Sequence, residues 1–386
     1  MKTSHLLSLS FLLLSLFPLS AQDGSAPRAR DLGIPFAGTP GPHNAITDVP
    51  GVRVGYATLI EGEGRLDVGK GPVRTGVTVV LPAPGFSNYR SFPAAVFSLN
   101  GMGEMTAGLY LQDYPLLYGP IGITNTNSVG AVRDAIGKWL FGNYSTGGLF
   151  DFSFGLPVAA ETWDGVLNDI NGLHVKPDHV FAALDNAQSG RIAEGNVGGG
   201  TGMVCYEFKG GTGTSSRRMR IDTAEYTLGV LVQANFGRRP QLTVAGVPVG
   251  EELPELMPEL KAPMRSDGSI IAIVATDAPL LPWQLQLVAK RVSLGIARTG
   301  SYSSMGSGDI FLAFSTAEKI EWNSNMDELD ALLNPIFLAT VEATEEAIVN
   351  AMVAAETMTG INGNTIHAIP HDRLREIIRK YNRLKE

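Results

Sequence analysis

The sequence predicts an α/β fold, and three observations carry that expectation. Short runs rich in Val, Ile, Phe and Tyr recur along the chain, most of them bounded by Gly, Pro, Asn or Asp. Between them lie fewer but longer stretches with apolar residues at three- and four-residue steps, the spacing of a helix with one buried face. The chain has 386 residues, 44% hydrophobic and 18% charged. That is a globular composition, large enough for one big domain or two ordinary ones.

The first 21 residues read as a secretory signal. Lys2 supplies the positive start, "LLSLSFLLLSLFPLSA" the apolar core, and Ala21 the small residue before the cut. Serines interrupt the apolar run, and it is shorter than the roughly 20 residues a bilayer span needs, so no membrane anchor is expected. The expected destination is export, to a bacterial periplasm. A Pro- and Gly-rich lead follows over 27–50. Strands are then expected at 51–58, 75–82, 93–98, 178–184, 203–208, 226–234, 241–246, 269–275 and 309–315. A helix is expected at Pro282, where Leu281, Leu285, Val288, Val292 and Ile296 repeat at three- and four-residue steps. Another covers 327–357, kinked at Pro335 and carrying Phe337, Val341, Ile348 and Met352. The last follows His371 with Leu374, Ile377, Ile378 and Tyr381. The one compositional break is 247–268, "VPVGEELPELMPELKAPMRSDG". It is acidic, Pro-rich and without period, which predicts an exposed, mobile loop ending at Gly268.

Several classes of function are disfavoured. The formal charge is −8, and the nearest thing to a basic patch is Arg217-Arg218 with Arg220, read as a solvated turn, so no nucleic-acid partner is expected. The single cysteine, Cys205 in "GMVCYEF", reads as a small core residue and can form no intramolecular disulfide. None of the six histidines stands in a G-x-S-x-G elbow or an H-E-x-x-H metal motif. Pro370 spoils a shared helical face for His367 and His371.

Chemistry concentrates at "RSDGSIIAIVATDAPLLP", where Ser269 heads a wholly apolar run directly behind Gly268. A serine hydroxyl needs a base before it attacks anything. Hydrolysis of the Gly268–Ser269 bond would supply one, because the freed α-amine has an ordinary pKa of about 7.7–8.0. Gly268 has no side chain to obstruct attack on its carbonyl, and the following strand would hold the new terminus in place. On the residues alone, an ordinary strand start remains open.

"DGSIIAIVATDAPLLPWQL", "EGNVGGGTGM", "GGTGTSSR", "LVQANFG", "NAITDVPGVRVGYAT" and "ETMTGINGN" together resemble the self-processing serine aminopeptidases, the family of DmpA-type L-aminopeptidase/D-esterases and the β-peptidyl aminopeptidases. The likeness covers about residues 29–386. It implies a four-layer αββα sandwich of the N-terminal-nucleophile-hydrolase type, cut between Gly268 and Ser269 into a large subunit, 22–268, and a small one, 269–386. It implies Ser269 as nucleophile, Asn235 as oxyanion donor, and Ser307 with Asp309 to orient the new amine. The β-peptidyl aminopeptidases carry Glu at the last position, so Asp309 is a departure that reaches one methylene less. Glu161, in "LPVAAETWDG", would hold a substrate ammonium, with Phe152 and Trp163 as pocket walls. The segments "TNTNSVG" (124–130) and "NVGGGTG" (196–202) read as active-site backbone or tight packing. The implied substrates are short peptides, amides or esters with a free N-terminal amine. No metal or organic cofactor is implied. The small subunit's partner is the large one, and the family suggests a tetramer of such heterodimers. Three alternatives stay open: a related self-cleaving acyltransferase, an uncut exported binding protein, and a lipase-like or metal hydrolase.

Overall fold

The computed structural model describes residues 26–86, 90–148, 156–262, 268–319 and 325–385. The signal-like residues 1–21 and Phe152 lie outside the described residues. In chain order the elements begin with β1 (Arg53–Glu61), β2 (Val73–Leu81), β3 (Phe92–Gly101), α1 (Gly108–Asp113), β4 (Leu116–Leu117), β5 (Ile121–Asn125), α2 (Val129–Tyr144), β6 (Val158–Thr162) and α3 (Pro177–Asp185). Next come two short strands that pair as a hairpin, β7 (Val204–Cys205) and β8 (Phe208–Lys209), then β9 (Gly211–Ile221), β10 (Ala224–Phe236) and α4 (Val249–Glu252). The last part holds β11 (Gly268–Thr276), α5 (Pro282–Arg298), β12 (Gly308–Ser315), α6 (Met326–Val353), a second small hairpin of β13 (Met358–Thr359) and β14 (Thr365–Ile366), and α7 (His371–Lys380).

Two sheets form the middle of the molecule: a four-stranded one ordered β1-β2-β5-β6 and a six-stranded one ordered β4-β3-β12-β11-β10-β9. Strand β11 lies at the centre of the larger sheet, parallel to β12 and antiparallel to β10. Its side chains alternate between two cores, as a pleated strand must. Ile271, Ile273 and Ala275 pack with Val77, Val79 and Ile123 of the smaller sheet. Ile270, Ala272 and Val274 pack with Val288 and Val292 of α5 and Ala347 and Ile348 of α6. Helices α2 and α3 cover the outer face of the smaller sheet through Val132, Ile136, Val180 and Leu184. The layers are helix, sheet, sheet, helix. No helix of the described residues is long and apolar enough to cross a membrane.

Four sequence expectations are corrected. The run 178–184 is a helix, α3, because Pro177 occupies its first turn and Val180, Ala183 and Leu184 fall on one buried face. The run 241–246 is no strand; only an isolated bridge joins Val244 and Val247. The strand expected over 203–208 is instead the β7–β8 hairpin, turned at Tyr206 and Glu207, both with positive φ. The acidic segment 247–268 is docked rather than loose as far as residue 262. Arg239, itself buried, donates to the carbonyls of Leu253, Glu255 and Leu256 at 2.7 to 3.1 Å. Further on, Glu259 pairs with Thr365, and the Lys261 N–H reaches Asn364 Oδ1 at 3.0 Å.

Strand β9 explains a fifth correction. "GTGTSSRRMRI" carries too little apolar surface to announce a strand, yet its first seven residues are buried. Arg217 is no solvated turn residue: its guanidinium meets Glu346 of α6 at 2.8 Å, both side chains wholly buried. Burial alone would raise the Glu346 pKa, but hydrogen bonds and charge from Arg30 and Arg217 outweigh it and hold the carboxyl below its ordinary value. Asn44 adds a further bond at 2.6 Å. Polar strand and polar helix face therefore satisfy each other. Replacing Glu346 by Ala removes the wholly buried partner of Arg217, leaves it only the longer 3.5 Å contact with Glu342, and should cost about 3 kcal/mol of stability. Thermal unfolding measures it, and an unchanged Tm would contradict the account.

Candidate active site

Ser269 is the second residue of β11, 4% exposed. By alternation it shares the inter-sheet face with Ile271 and Ile273, at the open end of the space between the sheets. Directly across the ladder on β10 stands Asn235, and on β12 the neighbouring residue is Gly308. Opposed residues in an antiparallel pair hold their Cβ atoms about 4.5–5.5 Å apart, within reach of one bound carbonyl group.

The Asn235 amide has a defined orientation. Its Oδ1 accepts from the backbone N–H of Val204 at 2.8 Å, and its Nδ2 donates to the carbonyl of Trp163 at 3.0 Å. A backbone N–H can only donate and a carbonyl can only accept, so the amide cannot be flipped. One of the two Nδ2 hydrogens is committed to Trp163; among the described residues the other has no acceptor.

Ser269 lines a cavity of about 720 Å³ together with Gly268, Glu161, Thr126, Trp163 and Met102. Glu161 is the fourth of the five residues of β6, beside Thr124 of β5 and 4% exposed. Its carboxylate accepts from the Glu104 N–H at 2.8 Å and from the Thr126 hydroxyl. Burial raises its pKa; those two hydrogen bonds pull the other way without cancelling the effect. A buried carboxylate held by neutral donors inside a cavity is arranged to receive a cation. Trp163 forms part of the wall, half-exposed.

Ser307 and Asp309 approach from a different side. The Ser307 hydroxyl donates to Asp309 Oδ1 at 2.6 Å. On β12 it is Ile310, Leu312 and Phe314 that face the smaller sheet, so Asp309 falls on the opposite face, with Phe311 and Ala313. There it stands beside Ile270 across the ladder; burial raises its pKa above the ordinary value, against the Ser307 and Ser303 hydroxyls and the Ile270 backbone, which pull it down. The pair therefore addresses the backbone at the head of β11 rather than the Ser269 side chain. Among the described residues, no hydrogen bond joins the Ser269 hydroxyl to Asn235, Ser307 or Asp309.

Gly268 is constrained beyond what the sequence indicated. Its φ is +91°, and a Cβ at this position would lie 1.7 Å from the Asn235 carbonyl oxygen. The segment 196–202 proves to be packing. A Cβ on Gly199 would meet Gln233 Oε1 at 2.2 Å, so the turn is wedged between the sheets. Sequence reasoning does not single out Thr126, although it lies within "TNTNSVG", nor the Glu104 N–H, which carries no side-chain signal at all. Among the described residues no group of His, Cys, Asp and Glu is arranged to hold a metal ion.

Comparison with known proteins now bears on this geometry. Residues 44–366 match peptidase family S58. The β-peptidyl aminopeptidase BapA of Sphingosinicella microcystinivorans is 51% identical, over 98% of this chain and 99% of the relative. Among solved structures, the L-aminopeptidase D-Ala-esterase/amidase of Ochrobactrum anthropi, a prototype of the serine aminopeptidases with a variant Ntn-hydrolase fold, superposes with a TM-score of 0.83. It is 44% identical, over 93% of this chain and 99% of that one. A β-aminopeptidase of Burkholderia sp. gives a TM-score of 0.81 at 44% identity, over 92% of this chain and 99% of that one. Fold and likeness define an N-terminal-nucleophile hydrolase, and within that class a serine aminopeptidase. The chain belongs to peptidase family S58.

The Gly268 geometry leads to a direct test. Gly268→Ala introduces a methyl group where the Asn235 carbonyl already stands, at a φ that L-residues disfavour. The variant should fold around the same core, and if the wild type cuts itself before Ser269 the variant should remain a single chain on denaturing gels under the same conditions. Equal cutting rates would contradict it.

Proposed function

We propose that the chain is a self-processing aminopeptidase that releases N-terminal residues, β-amino acids or small L- or D-residues, from short peptides, amides and esters. One observation supports this reading above the others: Ser269 and the buried acid Glu161 line the same cavity, with Asn235 opposite the serine. The β-peptidyl aminopeptidase relatives support a β-amino acid at the substrate N-terminus.

The reaction follows from these positions. In the first cut, Ser269 Oγ adds to the Gly268 carbonyl carbon, the C–N bond breaks, and the hydroxyl proton passes to the departing nitrogen. Water hydrolyses the resulting ester, leaving Gly268 as a carboxylate and Ser269 with a free α-amine. In turnover that amine takes the Oγ proton as Oγ attacks the substrate carbonyl, and returns it to the leaving group when the C–N or C–O bond breaks. Water then attacks the acyl-enzyme by the same proton path. The free Nδ2–H of Asn235 meets the charge developing on the carbonyl oxygen, a contribution worth about 2.7–4 kcal/mol for a well-placed donor. Ser307 and Asp309, next to the Ile270 N–H, orient the amine. Glu161 binds the substrate ammonium. The subunits are 22–268 and 269–386. Export to a periplasm and a tetramer of processed pairs complete the reading; the Lys2-led apolar segment supports the first, and the family resemblance supports the second.

Glu161→Gln tests the substrate role. The charged form is the one that binds an ammonium, and burial has raised the pKa of this carboxyl. In the wild type, kcat/KM should therefore fall as pH drops through that raised value, earlier than an exposed Glu would dictate. Glu161→Gln should lower kcat/KM for β-alanyl amides by about 100-fold or more and abolish the acid limb. Steady-state assays on free and N-acetylated substrates measure both effects. Wild-type-like kinetics in the variant, or equal turnover of the acetylated substrate, would sink the assignment.

A further inference from the structure

Lys209, at the end of β8, has no part in the chemistry described so far. It is completely buried. Its Nζ donates to three backbone carbonyls, Gly210 at 2.8 Å, Met203 at 2.9 Å and Gly200 at 3.4 Å. No carboxylate contributes to its ionisation; the one group that acts on it electrostatically is the Cys205 thiol. A buried cation without an anion is costly, and an apolar side chain of similar length would fill the same space without that cost.

The Met203 carbonyl and the Val204 N–H are the two ends of one peptide unit, pointing in opposite directions across its plane. The carbonyl end receives the Lys209 ammonium, and the N–H end donates to Asn235 Oδ1 at 2.8 Å. A continuous chain of polar groups thus runs from the ammonium, through the 203–204 peptide, into the Asn235 amide. Each link polarises the next in the same sense. The cation draws electron density toward the Met203 oxygen, the Val204 N–H becomes a stronger donor, and the Asn235 Nδ2–H becomes more acidic.

We propose that Lys209 is a positioning residue for the oxyanion site, holding and polarising the Asn235 amide through the Met203–Val204 peptide. This rests on Asn235 being the oxyanion donor. The surroundings leave the lysine charge uncompensated. Burial pushes the Cys205 thiol up to about 12, so it stays neutral. His367 offers only its carbonyl to the Lys209 N–H, while its ring meets Glu259. The Arg239 guanidinium lies over the Phe208 ring, 3.3 Å from its centroid. Burial lowers Lys209 to about 7, so its charge is present below neutral pH and lost above it.

Kinetics across pH test the proposal on wild type, Lys209→Met, Lys209→Arg, Asn235→Ala and the double variant Lys209→Met/Asn235→Ala. Lys209→Met should lower kcat by about 10- to 100-fold, a fraction of what loss of a whole oxyanion donor costs, with little change in KM. The wild-type kcat should decline on the alkaline side. Lys209→Arg, charged throughout, should recover activity and lose that decline. Adding Lys209→Met to Asn235→Ala should change nothing further. Wild-type kcat in Lys209→Met, or undiminished losses in the double variant, would overturn the proposal. Should neither lysine variant fold, a wild-type kcat with no alkaline decline overturns it as well. A silent Asn235→Ala would instead show that the oxyanion assignment itself is wrong.

Discussion

The antiparallel pairing of β10 with β11 is the constraint on which the rest depends. One register sets Asn235 against Ser269 and Phe236 against Gly268. It places the Ser269 hydroxyl and the Asn235 amide on the same face, toward the space between the sheets. The same contact leaves no room for a side chain at residue 268, where a Cβ would collide with the Asn235 carbonyl. A slip of one residue would turn Ser269 toward the helices and lose all of this at once. The register is secured by Ile270 to Ala275, packed alternately into the two cores, so the energy that fixes the site is ordinary hydrophobic burial.

Around that ladder the polar groups divide by the side from which they come. The smaller sheet brings Glu161 with Thr126 to the cavity, and β12 brings Asp309 to the backbone end of the serine. The 200–210 loop brings Val204 to Asn235. Each is anchored by buried hydrogen bonds, so the positions exist before any substrate arrives. The docked linker has a related consequence. With Arg239 gripping 253–256 and Asn364 holding Lys261, the linker is held against the body of the molecule as far as residue 262. Leu260 and Ala262 then stay in the cavity wall.

Much of this was legible in the sequence, and what was not has physical reasons. The Ile-Ile-Ala-Ile-Val run announced β11, and the spacing after Pro282 announced α5, because both patterns come from burial of one face or two. The run 178–184 misled because Val180 and Phe181 favour strands, whereas the decisive feature was packing of Val180, Ala183 and Leu184 against the small sheet. Strand β9 was illegible because Ser215 and Arg217 are satisfied by α6, more than a hundred residues later, and no local pattern reports a distant partner. The linker read as loose for the same reason: Arg239 and Asn364 lie outside it. In the site, Ser269 and Asn235 stood out as polar residues at the ends of apolar strands. Thr126 and Lys209 act through contacts that only the folded chain creates.

Intact mass and N-terminal sequencing of the purified, active protein test the central claim most directly. The account predicts two chains, the smaller one beginning Ser-Ile-Ile-Ala at Ser269. A fully active enzyme consisting of one chain, uncut between Gly268 and Ser269, would contradict it.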